Sequence, residues 1–259
     1  VIWVGTDDGN LQLTQDGGDT WTLVSKELTS GKKGMVPPCT WIPHVEASKF
    51  DAARAYVVFD DHRRSNWETY VYMTNDFGKT WKSLAAPEID GFCHVIEEDT
   101  VNENLLFLGT EFGLYMSLNK GESWIKWTHG FPTAPVRDLA VHPRENDLIV
   151  ATHGRSLYII DDISPLREIS EQIAQKKLHL FKVPDATQFQ QGRLTSYMCP
   201  GDTVFMGENK RFGAQITYHL IPSKKEKQDT QEESAQSNSQ TRPSGRFGRS
   251  DSKVDITIQ

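Results

Sequence analysis

The 259-residue chain is 37% hydrophobic and 24% charged, the make-up of a soluble globular protein with a real core. Its net charge of −7 argues against a nucleic-acid surface, which needs clustered Lys and Arg. No apolar run approaches the roughly eighteen residues that read as a membrane span. In chain order, the first predicted elements are strands in "VIWVGT" and "LQLT", joined by the turn "DDGN". Opening on "VIWVG" with no methionine, the chain reads as an internal piece of a longer protein, so the absence of a signal peptide is uninformative. Three further groups come next: "TWIPHVEAS", "RAYVVF" and "TYVYMT"; "FCHVIEED", "LLFLGT" and "LYMS"; "VRDLAVHP", "DLIVAT" and "SLYIID". All are short runs rich in Val, Ile, Leu, Tyr and Phe and bounded by Gly, Asp, Asn and Pro, which is the strand signature.

Several short strands per repeat, with the repeat recurring, is the arithmetic of a β-propeller blade. The expected fold class is all-β: a partial β-propeller of about 3.5 four-stranded blades over residues 1–184, then a truncated β-sandwich segment. The first blade would contribute three strands, the next two would be whole, and "LHLFKV" (178–183) would supply the outer strand of the last. Between them, 161–177 ends in a short helix. An open propeller leaves flanks uncovered, so missing N-terminal blades of the same protein are the first expected partners. Residues 185–259 read as a linker and the first strands of an Ig-like β-sandwich. "AQITYHLI" and "KVDITIQ" would form its first hairpin, and 223–252 a disordered polar insertion too poor in apolar residues to offset its ordering entropy.

The stretch "TQDGGDTW" (14–21) returns as "TNDFGKTW" (74–81) and, eroded, as "SLNKGESW" (117–124). Its chemistry suits a turn. The acid accepts backbone N–H bonds, the glycine two places on supplies positive φ, the hydroxyl closes a local bond, and the tryptophan opens the next strand. The structural set is Asp16, Gly18, Thr20 and Trp21; Asp76, Gly78, Thr80 and Trp81; and Asn119, Gly121, Ser123 and Trp124. A calcium loop would need more converging oxygens than one Asp per copy supplies. These copies resemble Asp-boxes, the repeated turn of sialidase-like and sortilin-like propellers. With "ATHGRS" and "GENKRFGAQITYHL", the chain is similar to a family of large bacterial secreted proteins labelled glycosyl-hydrolase-like. That resemblance covers roughly residues 1–220. It implies an extracytoplasmic, bacterial protein whose Asp-boxes lie on the face opposite the ligand site.

The ligand face of such a propeller carries the loops between the second and third strands of each blade. Here these loops hold Asp7, Asp8, Asp60, Asp61, His62, Arg63, Trp67, Glu111, His153 and Arg155. Several acids with basic groups and a tryptophan suit a non-catalytic or scaffold propeller that binds a protein, peptide or glycan on this face. The alternative is a sialidase-like glycoside hydrolase using a carboxylate pair, with Asp61 and Glu111 as its catalytic candidates. Arg63, Arg137 and Arg155 are the propeller arginines that a sialidase would draw on. Arg155 could instead pair with Asp161 or Asp162. Histidines 44, 94, 129, 142, 179 and 219 read as structural. Cys39, Cys93 and Cys199 are too few and too scattered for a metal cluster or a disulfide framework, though a Cys39–Cys93 bridge stays open. No cofactor and no metal is expected.

Overall fold

The computed structural model describes residues 1–29, 35–186 and 213–221. The chain divides into two compact units, Val1–Glu168 and Ile169–Gln259. In the first unit four antiparallel sheets succeed one another, each a meander in strict chain order. The first is β1 (Ile2–Gly5), β2 (Leu11–Thr14) and β3 (Thr22–Leu23). The second is β4 (Trp41–Ala47), β5 (Ala55–Asp60), β6 (Tyr70–Thr74) and β7 (Lys82–Ser83). The third is β8 (Cys93–Glu98), β9 (Leu106–Thr110), β10 (Gly113–Ser117) and β11 (Ile125–Lys126). The fourth is β12 (Val136–Val141), β13 (Leu148–Thr152) and β14 (Leu157–Ile160). Sheets of three, four, four and three strands are the blades expected from the repeats.

The alternation of side chains along each middle strand explains why these strands read as unbroken apolar runs. Tyr56 and Val58 of β5 pack toward the third sheet with Ile96, Leu106 and Tyr115, whereas Val57 and Phe59 pack toward the first with Leu11 and Leu13. Leu106 and Leu108 of β9 join the first of these cores, and Phe107 joins another with Val136, Leu139 and Val150 of the fourth sheet. Each middle sheet therefore buries both faces, as sheets stacked side by side must. At Gly109 of β9 a Cβ would lie 2.6 Å from both Val95 and Val136, so the third and fourth sheets approach too closely for any larger residue.

The three recurring stretches fold as one turn between a long strand and a two-residue outer strand. Thr14 Oγ1 donates to Asp16 (2.7 Å), the Gly18 N–H donates to Thr14 Oγ1 (3.0 Å), and Thr20 gives the Asp16 carboxylate both its N–H (3.0 Å) and its hydroxyl (2.5 Å). Thr74, Asp76, Gly78 and Thr80 repeat this pattern bond for bond. These donors, the Thr20 hydroxyl first, hold the Asp16 carboxyl well below its usual range. In the third copy the amide inverts one bond: Asn119 Oδ1 accepts from Ser117 and the Ser123 N–H, while Asn119 Nδ2 donates to Ser123 Oγ at 2.9 Å. The tryptophans differ in burial: Trp21 is exposed, Trp81 packs edge-on to Trp3 of the first sheet, and Trp124 is buried, donating to the Leu84 carbonyl.

After β14 come two short helices, α1 (Ser164–Glu168) and α2 (Glu171–Ala174). The strand expected to complete the fourth sheet does not do so. β15 (Leu178–Leu180) pairs instead with β16 (Tyr218–Leu220), with His179 opposite His219. The antiparallel ladder of β15 runs along the "TYHL" segment, and β14 is the edge of its own three-stranded sheet. "KVDITIQ" and the 223–252 insertion lie outside the described residues, as does Cys199. Cys39 and Cys93 are free thiols, the first exposed in a turn at φ 58° and the second buried, so the bridge left open by the sequence is not made.

Candidate functional site

In successive antiparallel strands, the β5–β6 and β9–β10 loops emerge at the same end as the starts of β8 and β12. The three recurring turns sit at the other end. At the loop end, three inner strands carry the same irregularity. The register slips between Trp41 and His44 in β4, between Cys93 and Val95 in β8, and between Val136 and Asp138 in β12. Each slip is a β-bulge, and in β8 and β12 the extra residues are His94 and Arg137. A bulge re-aims a side chain out of the ladder's alternation. Here it turns two equivalent positions in neighbouring sheets toward one another.

His94 lies at the centre of the resulting cluster and is buried. Its Nε2 meets Glu111 Oε2 at 3.0 Å, and Arg137 Nη1 approaches its Nδ1 at 3.2 Å. Arg137 Nη2 is 3.5 Å from the same Glu111 oxygen. Guanidinium nitrogens only donate, so Nδ1 accepts from Arg137 and the imidazole proton sits on Nε2, donated to Glu111. Burial, with Arg137 beside it, holds the His94 value below that of an ordinary histidine, against the pull of Glu111 and Asp60. Asp60, at the end of β5, has a fully buried side chain. Its Oδ1 accepts from the His62 N–H (3.0 Å) and from His62 Nδ1 (2.6 Å). Its Oδ2 is 4.0 Å from His94 Nδ1 and makes no hydrogen bond.

Aromatic rings form the outer part of the cluster. The His62 ring stacks on Phe92 (centroids 4.7 Å apart, planes 16° apart), and Phe92 also meets His94 edge-on at 5.0 Å. Trp67 leans over Phe92 at 5.7 Å and remains 61% exposed. The structure thus gathers Asp60, His62, Trp67 and Glu111 of the rim around Phe92, His94 and Arg137.

The remaining rim residues do not join. Asp61 is buried and committed to its own loop, accepting from Arg64 Nε (2.5 Å) and Asn66 Nδ2 (2.8 Å). Arg63 lies over the Trp41 ring at 4.7 Å. Asp8 holds its turn through Thr6 and Asn10, whereas Asp7 stays outside the cluster at an exposed turn position. His153 and Arg155 are exposed at the β13–β14 turn, and among the described residues Arg155 pairs with neither Asp161 nor Asp162. The sequence marks His94 only as one structural histidine among six and Arg137 only as one of three propeller arginines. The signal the two share is positional: each lies second or third in a strand-opening run, "FCHV" or "VRDL".

A second polar group lies along the inner strands. Lys49 bridges Glu46 (3.0 Å) and Glu97 (2.8 Å), and burial with Glu97 nearby pushes the Glu46 carboxyl up to about 7. Its members satisfy one another. Among the described residues, no group of three His, Cys, Asp or Glu is placed to hold a metal, and no helix is long and apolar enough to cross a membrane.

Successive antiparallel meanders of three or four strands, packed one against the next, define an all-β protein of β-propeller fold. Neither a protein-family model nor a curated protein matches the chain. Among solved structures it is similar to the GH74 enzyme of Niastella koreensis, with 16% identity and a TM-score of 0.50 over 62% of this chain and 26% of that one. It is also similar to the GH74 xyloglucanase from Xanthomonas campestris (17%, TM-score 0.48, 70% and 30%). A third similar structure is YCF48 bound to a D1 peptide (16%, TM-score 0.41, 63% and 52%). The chain therefore spans about half or less of each of these structures, and at such identities the likeness is one of fold.

Proposed function

We propose that the loop end of the sheets is a non-catalytic binding face for a protein, peptide or glycan, in an extracytoplasmic bacterial propeller followed by a β-sandwich segment. One observation carries this reading: the face offers exposed groups for contact, while the carboxylates nominated for catalysis are buried or paired. Trp67 stands out over the His62–Phe92 stack, as aromatic anchors of ligand sites do. Asp60 is buried, Asp61 is tied to Arg64, and Glu111 accepts from His94 beside Arg137. A glycosidase needs one carboxyl that donates a proton and a second facing it across the scissile bond. Glu111, facing two donors, is arranged as an acceptor, and Asp61 points into its own loop. The glycoside-hydrolase reading is the weaker one on these grounds.

The test presents the full chain to peptide and oligosaccharide arrays and follows release of reducing sugar in parallel. We expect binding without turnover, and a loss of about 30-fold in affinity for Trp67→Ala, the size of an aromatic hot spot. Oligosaccharide hydrolysis abolished by Glu111→Gln in a folded variant would overturn the reading in favour of the hydrolase.

A further inference from the structure

The cluster contains an imidazole with two competing neighbours, on the face read above as a ligand site, and its role in ligand capture rests on that reading. His94 Nδ1 accepts from Arg137 at 3.2 Å, and Asp60 Oδ2 lies 4.0 Å from the same nitrogen without a hydrogen bond. A buried carboxylate oxygen with no partner is costly, and it lies beside a nitrogen that at present has no proton to give. Adding a proton at Nδ1 reverses both relations. It sets an N–H against the guanidinium N–H and supplies the donor that Asp60 lacks. We infer that His94 is a proton-operated latch on Arg137: neutral, it holds the guanidinium against the cluster, and protonated, it turns to Asp60 and releases Arg137 to an acidic group of a ligand.

The surroundings allow the exchange. The Arg137 side chain is 40% exposed, and its other contact, 3.5 Å to Glu111, is to an oxygen that the imidazolium at 3.0 Å competes for, whereas the Asp60 side chain is fully buried and held through its other oxygen by His62. The Nε2–Glu111 bond survives in both states, because Nε2 is a donor in each. The charged groups facing His94 are Asp60 from β5, Glu111 from the β9–β10 loop and Arg137 from β12. On β4, which also packs against β8, His44 and Glu46 interact with Asp138, Lys49 and Glu97. With burial and Arg137 lowering the His94 value, the latch opens on acidification below the ordinary histidine range. A freed arginine presents a planar fork that matches a carboxylate.

Nuclear magnetic resonance on the full chain, labelled at histidine and arginine nitrogens, tests this without a ligand. At neutral pH His94 is expected as the Nε2–H tautomer. On acidification the Arg137 side-chain signal should move with the same midpoint as the His94 ring. Asp60→Asn should lower the proton affinity of His94 about tenfold and Arg137→Gln should raise it by a similar factor, as charges within about 4–6 Å do. An Nδ1–H tautomer at neutral pH, an Arg137 signal that ignores the titration, or a midpoint unmoved by Arg137→Gln would each overturn the latch. Arg137→Gln changes a partly exposed side chain, so the test stands even if Asp60→Asn fails to fold. Array binding lost in Trp67→Ala, together with a static Arg137, would leave the binding face and remove only the latch.

Discussion

Gly18 and Gly78 occupy the same place in two copies of one turn, yet their surroundings differ. Both have positive φ, at 117° and 77°, which disfavours any side chain. A Cβ at Gly78 would also lie 2.8 Å from Val24 of the preceding sheet, whereas one at Gly18 meets nothing within 4 Å. Gly78→Ala is expected to cost about 2–4 kcal/mol, combining backbone strain with overpacking, and Gly18→Ala about 1–2 kcal/mol from strain alone. Urea unfolding of the two variants ranks them, and an equal loss would contradict the packing role of Gly78. At Glu46 the prediction concerns pH. Its carboxyl is raised to about 7 in the folded chain from an ordinary 4.5, so the folded state binds that proton more tightly than the unfolded state. Stability from this group is full below about 4.5 and is lost as pH rises through about 7. Glu46→Gln should therefore stabilise the fold at pH 8 by up to about 3 kcal/mol and flatten the decline across that window. Thermal melts at pH 5 and pH 8 check it, and a variant less stable than the parent at pH 8 would refute it.

At the scale of elements, α1 packs Leu166 against the core of the fourth sheet and is tied to the β8–β9 turn by Arg167. Arg167 reaches the fully buried Asp99 through Nε and Nη2, both at 2.8 Å, and Asn146 through Nη1. Asp99 in turn accepts the N–H groups of Val101 and Asn102, fixing the β8–β9 turn. Arg167→Ala leaves that carboxylate buried without its cation, a loss of about 3–5 kcal/mol. Hydrogen exchange should show α1 opening at the same time, and an unchanged urea midpoint would mean that the pair is dispensable. The strand bulges belong to this scale too. Glu111, His62 and Trp67 were legible in the sequence because charged and aromatic residues in a short loop have nowhere to go but the rim. His94 and Arg137 were not, since whether a strand residue faces the core, solvent or a neighbouring sheet depends on register, and one inserted residue changes the answer. Asp60 and Asp61 make the same point. Adjacent in "FDDH", one ends a strand and joins the cluster, while the other turns into its loop.

For the whole first unit, the outermost sheets each leave an apolar face uncovered. Ile2 and Val4 of β1 are 45% and 38% exposed, and Leu157 and Ile159 of β14 are 64% and 62% exposed, while Tyr158 and Ile160 pack inward. Exposed apolar strands at sheet edges drive association. Sedimentation of the chain at rising concentration should show self-association, and the double variant Leu157→Lys, Ile159→Lys should reduce it. Monomeric behaviour of the parent at high concentration would contradict this.

The sequence by itself determined the class of fold, because local pattern carries it: short β-branched and aromatic runs, turn residues at fixed offsets, and three copies of one turn whose hydrogen bonds are nearly all internal to eight residues. Tertiary structure alone decided the rest. Which strand "LHLFKV" joins, which of two adjacent aspartates reaches the cluster, and which histidine meets an arginine from the next sheet are settled by contacts between residues far apart in the chain. Such contacts depend on pairing register and on the stacking of sheets, and neither leaves a mark in local composition.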